Sequence, residues 1–158
     1  MTLYEAFDWL ELTALGAAIR DSVWLFPVIE SVHLLGLAVL GGAILVVDLR
    51  LLGLGLTGRP PAYVLKQAAP WLVGALAVMF ATGIPLLLSE AVKCYFRAAF
   101  WVKMGALVLA LLFTFGVRNR MVRLRPGLLR WQQRGIAACS LALWLTVAAA
   151  GRWIGFSY

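Results

Sequence analysis

Four ionisable side chains stand inside or close to long apolar runs, where charge is costly to bury. They are Glu30, His33, Lys103 and Arg152. Placing such a group at the centre of a bilayer costs about 2.5–3.5 kcal/mol on insertion scales, so intramembrane ionisable residues point to function. Glu30 and His33 are three residues apart, which places them on one face of a helix. These residue types would provide an imidazole ligand with a carboxylate and two cations around it.

Haem iron is the metal centre that this set suits best. A neutral imidazole is a common axial ligand of haem iron, and His33 is the single histidine of the chain. Gly36 would allow close approach of the apolar ring, and Glu30 would orient or tune the site. Lys103 and Arg152 would pair with the anionic propionates. We therefore predict a protein that binds haem b and has an electron-transfer or redox role.

One histidine cannot supply both axial ligands of a haem within one chain. The iron would be five-coordinate, or it would take His33 from a second subunit, or a methionine would complete the site. Met104 stands at a better depth for this than Met79, which the sequence places in the opposite half of the membrane. The chain is accordingly expected to form a homo-oligomer or to be a subunit of a membrane complex.

Three other interpretations fit the same residues. The first is copper handling, because E-x-x-H over 30–33 places two ligands on one face, although copper(I) prefers sulfur ligands. The second is a non-enzymatic structural or assembly subunit, which the short loops favour. The third is purely structural: Glu30 pairs with Lys103 or Arg152 inside a bundle, or the two cations reach the headgroups. No Ser/His/Asp triad, phosphate-binding loop or Rossmann fingerprint is present, so no catalytic residue is identified.

The elements that must position these residues are transmembrane helices. The 158 residues are 63% hydrophobic and 13% charged, against about 45–50% and 25% in soluble domains. A helix needs about 20 apolar residues to cross about 30 Å of hydrocarbon. The sequence predicts one all-α domain over 1–158, an integral membrane four-helix bundle preceded by an amphipathic interfacial helix over 3–19. The four predicted spans are 24–47, 68–89, 98–117 and 135–156.

Basic residues are concentrated on one side of this predicted bundle. Nine of the fourteen belong to the two loops that join the first span to the second and the third to the fourth. The positive-inside rule places these loops in the cytoplasm and both termini outside. We expect the inner membrane of a bacterium, with anionic lipid headgroups rather than nucleic acid as the partner of the basic loops. The nine are Arg50, Arg59, Lys66, Arg118, Arg120, Arg123, Arg125, Arg130 and Arg134.

The predicted topology brings the four ionisable residues to one depth. The first and third spans begin outside, so His33 and Lys103 fall in the outer leaflet. The fourth span ends outside, which brings Arg152 near the same level. The two cysteines, Cys94 and Cys139, fall on opposite sides of the bilayer, so a disulfide within one chain is not expected.

Several short motifs resemble an uncharacterised family of bacterial four-helix membrane proteins. The first span carries E-S-V-H-L-L-G over 30–36, followed by the glycine pair at 41–42 and D-L-R-L-L-G over 48–53. The last span closes with G-R-W-I over 151–154. This resemblance implies the same four-helix membrane architecture over most of the chain.

The third span is similar to two better-defined classes. The segment F-W-V-K over 100–103, in a span that ends with R-N-R over 118–120, resembles the CopD-type copper-resistance membrane domain. A histidine in an early helix and a lysine opening a later one are similar to the HemJ-type protoporphyrinogen oxidase. The resemblance implies a haem b or copper role, carried by His33 and Lys103.

Overall fold

The computed structural model describes residues 2–125 and 127–156, with side chains described up to residue 154. This part of the chain contains helices and no strand, which confirms the all-α prediction. A π-helical segment at Phe113–Arg118 joins two of the helices into one continuous rod. The helices are α1 (Leu3–Glu11), α2 (Ala14–Asp21), α3 (Leu25–Leu52), α4 (Pro61–Ser89), α5 (Ala91–Tyr95), α6 (Ala98–Leu112), α7 (Asn119–Leu124) and α8 (Arg130–Phe156).

Four rods are long and apolar enough to cross a membrane: α3, α4, the rod from α6 to α7, and α8. The shortest of these four stretches has 25 residues, in α8. At 1.5 Å per residue its length exceeds the thickness of the hydrocarbon core of a bilayer. The protein is therefore a multi-pass membrane protein built as a four-helix bundle. We call the end with the α3–α4 and α7–α8 loops the basic end, and the end with α1, α2 and α5 the termini end.

At the basic end the helices continue beyond the predicted spans. The first span was predicted to end at residue 47, but α3 continues to Leu52 and is capped by Gly53 in the left-handed conformation, with φ of +79°. The second begins at Pro61, seven residues earlier than predicted, with proline in the first turn. The residues at the helix termini, rather than the last apolar side chain, therefore determine where α3 ends and where α4 begins.

The N-terminal segment is two helices where one was predicted over 3–19. Thr13 interrupts the segment and caps α2, because its hydroxyl accepts a hydrogen bond from the backbone of Gly16. A Cβ on Gly16 would lie 2.5 Å from the carbonyl oxygen of Leu88, so only glycine allows α2 to approach the end of α4 this closely. Glu11 accepts a 2.6 Å hydrogen bond from the backbone of Val92 in α5. These two helices are thus attached to the bundle through specific polar contacts.

The spanning helices pack in the order α4, α3, α8, α6, with α3 against both α4 and α8. Their shared core lies midway between the two ends and contains small as well as large side chains. Small residues let helices approach closely, which matters in lipid because the solvent is as apolar as the side chains. This central core contains Leu40, Ala43, Ile44, Leu72, Ala75, Leu76, Ala106, Ala110, Trp144 and Val147.

A buried ion pair joins the helices near the basic end. The guanidinium Nη1 of Arg118 lies 3.0 Å from Oδ1 of Asp48, and neither side chain is exposed. The same nitrogen lies 3.3 Å from the hydroxyl of Ser140, and Nε donates to Asn119 at 3.2 Å. The contacts therefore connect α3, the π-helical segment, α7 and α8.

The placement of Arg118 differs from the sequence-based expectation. The sequence assigned Arg118 to a cytoplasmic loop and ended the first span at residue 47, just before Asp48, whereas both side chains are fully buried in the bundle. A π-helix holds more residues per turn than an α-helix, so it shifts the face presented by the residues that follow. Because this segment ends at Arg118, the register shift coincides with the residue that turns inward.

We expect Arg118→Met to lower the free energy of unfolding by about 3–5 kcal/mol, because it leaves the Asp48 carboxylate buried without its partner. Adding Asp48→Leu should recover most of that loss, since apolar pairs often replace buried ion pairs without cost. Denaturant unfolding in detergent micelles measures both. Arg120→Met, at an exposed position on α7, is the matched control. Equal losses for Arg118→Met and Arg120→Met would contradict this interpretation.

Candidate functional site

His33 lies on α3 toward the termini end and faces α4. Its side chain is half-buried, and its Nδ1 lies 2.8 Å from the hydroxyl oxygen of Thr82. That hydroxyl lies 2.6 Å from the carbonyl oxygen of Val78, one turn earlier in α4. Histidine, threonine and backbone carbonyl thus form a short chain of hydrogen bonds between two spanning helices.

The direction of these hydrogen bonds determines which imidazole nitrogen carries the proton. A threonine hydroxyl has one proton, and Thr82 donates it to the carbonyl of Val78. The Thr82 oxygen is then the acceptor for His33, which predicts that Nδ1 of the imidazole carries the proton. A neutral imidazole with its proton on Nδ1 keeps a lone pair on Nε2. Metal-bound histidines commonly have this arrangement, with one nitrogen donating to the protein and the other bound to the metal.

Two glycines allow α3 and α4 to approach at this level. A Cβ on Gly83 would lie 3.2 Å from Cε1 of His33, so the imidazole rests against bare backbone. Gly36 is buried, and a Cβ there would lie 3.0 Å from Cγ1 of Val78 and 3.4 Å from Sδ of Met79. The side chains of α4 therefore fill the space beside Gly36, where the sequence had suggested room for a haem ring.

The two methionines considered as axial ligands occupy different surroundings. Met79 packs against the central core and lies at the level of Gly36, one turn from His33. It is therefore nearer to His33 along the bundle than the sequence indicated. Met104 packs against an apolar cluster at the termini end that includes Phe7 and Phe100.

Lys103 is half-buried between α6 and α8. Its side chain lies over Gly151, with Cε 3.6 Å and Nζ 3.7 Å from the position that a Cβ would take there. The ammonium is within electrostatic reach of His33 and of Cys94. The structure thus brings a cation from the third rod toward the histidine of the first.

Glu30 and Arg152 occupy exposed positions. Glu30 lies one turn before His33 on α3, and Arg152 follows Gly151 on α8. Glu30 forms no ion pair within the described ranges, so it does not close the bundle against Lys103 or Arg152. Among the described residues, ion pairs also join Glu11 to Arg20 and Glu90 to Lys93.

Cys94, a conceivable soft ligand for copper, is buried in α5. Burial, with a further contribution from Glu90, raises the pKa of the Cys94 thiol above its ordinary value. The thiol is therefore protonated at neutral pH, and it is the thiolate that binds metal ions. Among the described residues, no group of three or more His, Cys, Asp or Glu side chains converges as a metal site.

Thr82 and Gly83 were not identified from the sequence. The signal lay in the second span, where a threonine followed by glycine interrupts an apolar run at the depth expected for His33. Only the pairing of α3 with α4 shows that these residues face the histidine. The same holds for Gly151, whose role as a platform for Lys103 depends on the contact between α6 and α8.

The fold and this site define a multi-pass α-helical membrane protein with one oriented histidine between two of its spans. A family model matches residues 6–157, and the chain belongs to that family, a family of unknown function designated DUF6644. No curated protein matches the chain significantly, and neither does any solved structure.

Nitrogen NMR tests the orientation of His33 directly, because the chain contains a single histidine. In wild type, the imidazole ¹⁵N shifts should show the proton on Nδ1. Thr82→Val removes the acceptor and should move the population toward the tautomer with its proton on Nε2. Thr146→Val is the matched control, since that exposed hydroxyl likewise bonds a carbonyl one turn back, in Ala142. An Nε2–H tautomer in wild type would overturn the assignment.

Proposed function

We propose that the protein binds haem b through His33 and has an electron-transfer or redox role in the membrane. One observation carries this proposal: Nδ1 of His33 lies 2.8 Å from the Thr82 hydroxyl oxygen, which lies 2.6 Å from the carbonyl oxygen of Val78. This geometry favours a proton on Nδ1 and a free lone pair on Nε2, the nitrogen that would bind the iron. Bound haem would supply one-electron chemistry, which none of the side chains around His33 provides.

Each residue of the site has a distinct role under this proposal. His33 would hold the haem iron, and Thr82 would position its imidazole. Gly36 acts indirectly, by letting α3 and α4 approach closely enough for that hydrogen bond. Lys103 contributes the positive charge that an anionic propionate requires, and its burial strengthens such a contact.

Arg152 and Glu30 are assigned outer positions at the same site. Arg152 follows the glycine on which Lys103 rests and provides a second cation for propionates. Glu30 lies on the exposed surface of α3 one turn from the ligand, where its carboxylate would adjust the charge around the iron. Both assignments rest on position along the helices and on charge.

The chain has one histidine, so a second imidazole ligand for the iron would have to come from another copy. We propose that two copies of the chain share a haem, each contributing His33, because this provides two equivalent imidazole ligands. Met104 is engaged in the cluster around Phe7 and Phe100, which makes it less suited to that role. The expected stoichiometry is one haem for two chains.

We expect protein purified in mild detergent and supplied with haem to show a Soret band that shifts on reduction with dithionite. His33→Ala should abolish the band, and Thr82→Val should weaken binding about 10–100-fold, the usual effect of losing a partner that orients a metal ligand. Ser31→Ala, at an exposed position on the same helix, should match wild type.

Metal analysis of the same samples separates haem from copper handling. One iron atom for two chains supports the shared haem site. Copper that is present in wild type and lost in a Glu30→Gln, His33→Ala double variant would instead support copper handling. Folded protein without a Soret band, or His33→Ala with an unchanged spectrum, would also refute the haem proposal. Stoichiometric recovery of a different membrane protein would favour an assembly subunit.

We also propose that the basic end faces the cytoplasm of a bacterium and that both termini lie outside its inner membrane. The distribution of acidic residues supports this orientation, because six of the seven are on or next to elements of the termini end or on the first turns of α3. The seventh, Asp48, is buried against Arg118. The basic end therefore exposes cations without exposed acids to balance them.

Reporter fusions test this orientation. Alkaline phosphatase, which is active only outside the cytoplasm, should be active when fused after the last residue and inactive when inserted after Gly58 in the α3–α4 loop. A green fluorescent protein that fluoresces only in the cytoplasm should give the opposite pattern. The reverse result for both reporters would invert the topology.

A further inference from the structure

A groove of about 560 Å³ lies between α3 and α4 toward the basic end. This volume falls within the range of about 300–1,000 Å³ that is typical of ligand sites. Its floor and walls come from both helices, and the α3–α4 loop closes one end. The lining includes Val39, Gly42, Val46, Arg59, Gln67 and Trp71.

The walls of the groove are apolar, and Gly42 adds open space to one of them. A Cβ added at Gly42 would meet no other atom within 4 Å, so this glycine leaves open space rather than allowing a helix contact. The other glycine of the pair, Gly41, also has open space around it, but it is not part of the lining. The groove therefore has the shape and polarity to hold a hydrocarbon chain lying along the helices.

A fixed cation stands at the loop end of the groove. The guanidinium of Arg59 lies over the ring of Tyr63, 5.3 Å from its centroid. The backbone carbonyl of Arg59 also accepts a hydrogen bond from the guanidinium of Arg50, which ties the loop to the end of α3. An arginine held in place in this way is suited to bidentate contact with a phosphate.

We propose that this groove is a binding site for an anionic phospholipid, with one acyl chain between α3 and α4 and the phosphate at Arg59. Charge selects this occupant, because the surrounding end of the bundle exposes cations and its only acid, Asp48, is buried in an ion pair. A zwitterionic lipid would place an ammonium group in the same positive field. The site is separate from His33, which lies nine residues, or roughly 14 Å, from Gly42 along α3.

Native mass spectrometry of delipidated protein tests the proposal, with phosphatidylglycerol and phosphatidylcholine of identical acyl chains as probes. We expect at least fivefold higher occupancy by phosphatidylglycerol. Arg59→Gln should reduce that occupancy to the level of phosphatidylcholine, and Gly42→Leu should reduce binding of both lipids by filling the groove. Gly42→Ala provides a milder version in case the leucine disturbs folding.

Two control variants distinguish an effect at this site from a general effect on folding or lipid binding. Gly41→Leu makes the same change on the same helix outside the groove, and Arg123→Gln removes an exposed charge from α7. Both should bind phosphatidylglycerol like wild type. Equal occupancy by the two lipids, or equal losses in Gly42→Leu and Gly41→Leu, would overturn the proposal. A protein dimer that Gly42→Leu dissociates would overturn it too, by assigning the groove to a second copy.

Discussion

The buried ion pair of Asp48 with Arg118 is the contact on which the arrangement of the spanning helices depends. In lipid, apolar side chains gain little by leaving the solvent for one another, so apolar packing alone specifies helix partners weakly. A charged pair without exposure to water or headgroups must instead be matched within the protein. Because Ser140 and Asn119 bind the same guanidinium, a rotation or shift of one helix would unpair several groups at once.

A second layer with polar side chains between helices lies at the other end of the bundle, with the apolar core between the two. His33 and Thr82 join α3 to α4 there, and Lys103 on Gly151 joins α6 to α8. The core around Leu40 and the other central residues separates this layer from the ion pair. The described side chains provide no continuous polar route between the two layers.

The sequence predicted the helical fold well and the contacts between helices poorly, and His33 as a cofactor ligand stays a prediction. Long apolar runs identify spans because lipid requires them, but the end of α3 depends on the left-handed cap at Gly53. Arg118 was assigned to a loop because an arginine-rich segment beside a span is usually exposed, and its burial coincides with a π-helical segment that hydropathy does not show. Thr82 and Gly83 contact His33 only because α4 packs against α3, and no local sequence pattern specifies that packing.

The π-helical segment at Phe113–Arg118 also bears on how members of the family should be compared. A π-helical turn arises when one residue is accommodated within an otherwise α-helical rod. A relative that lacked this residue would present a different side chain to Asp48, even if its amino acids there were otherwise identical. A single-residue gap within this stretch of an alignment would thus mark a change of partner for the buried carboxylate, not neutral variation in length.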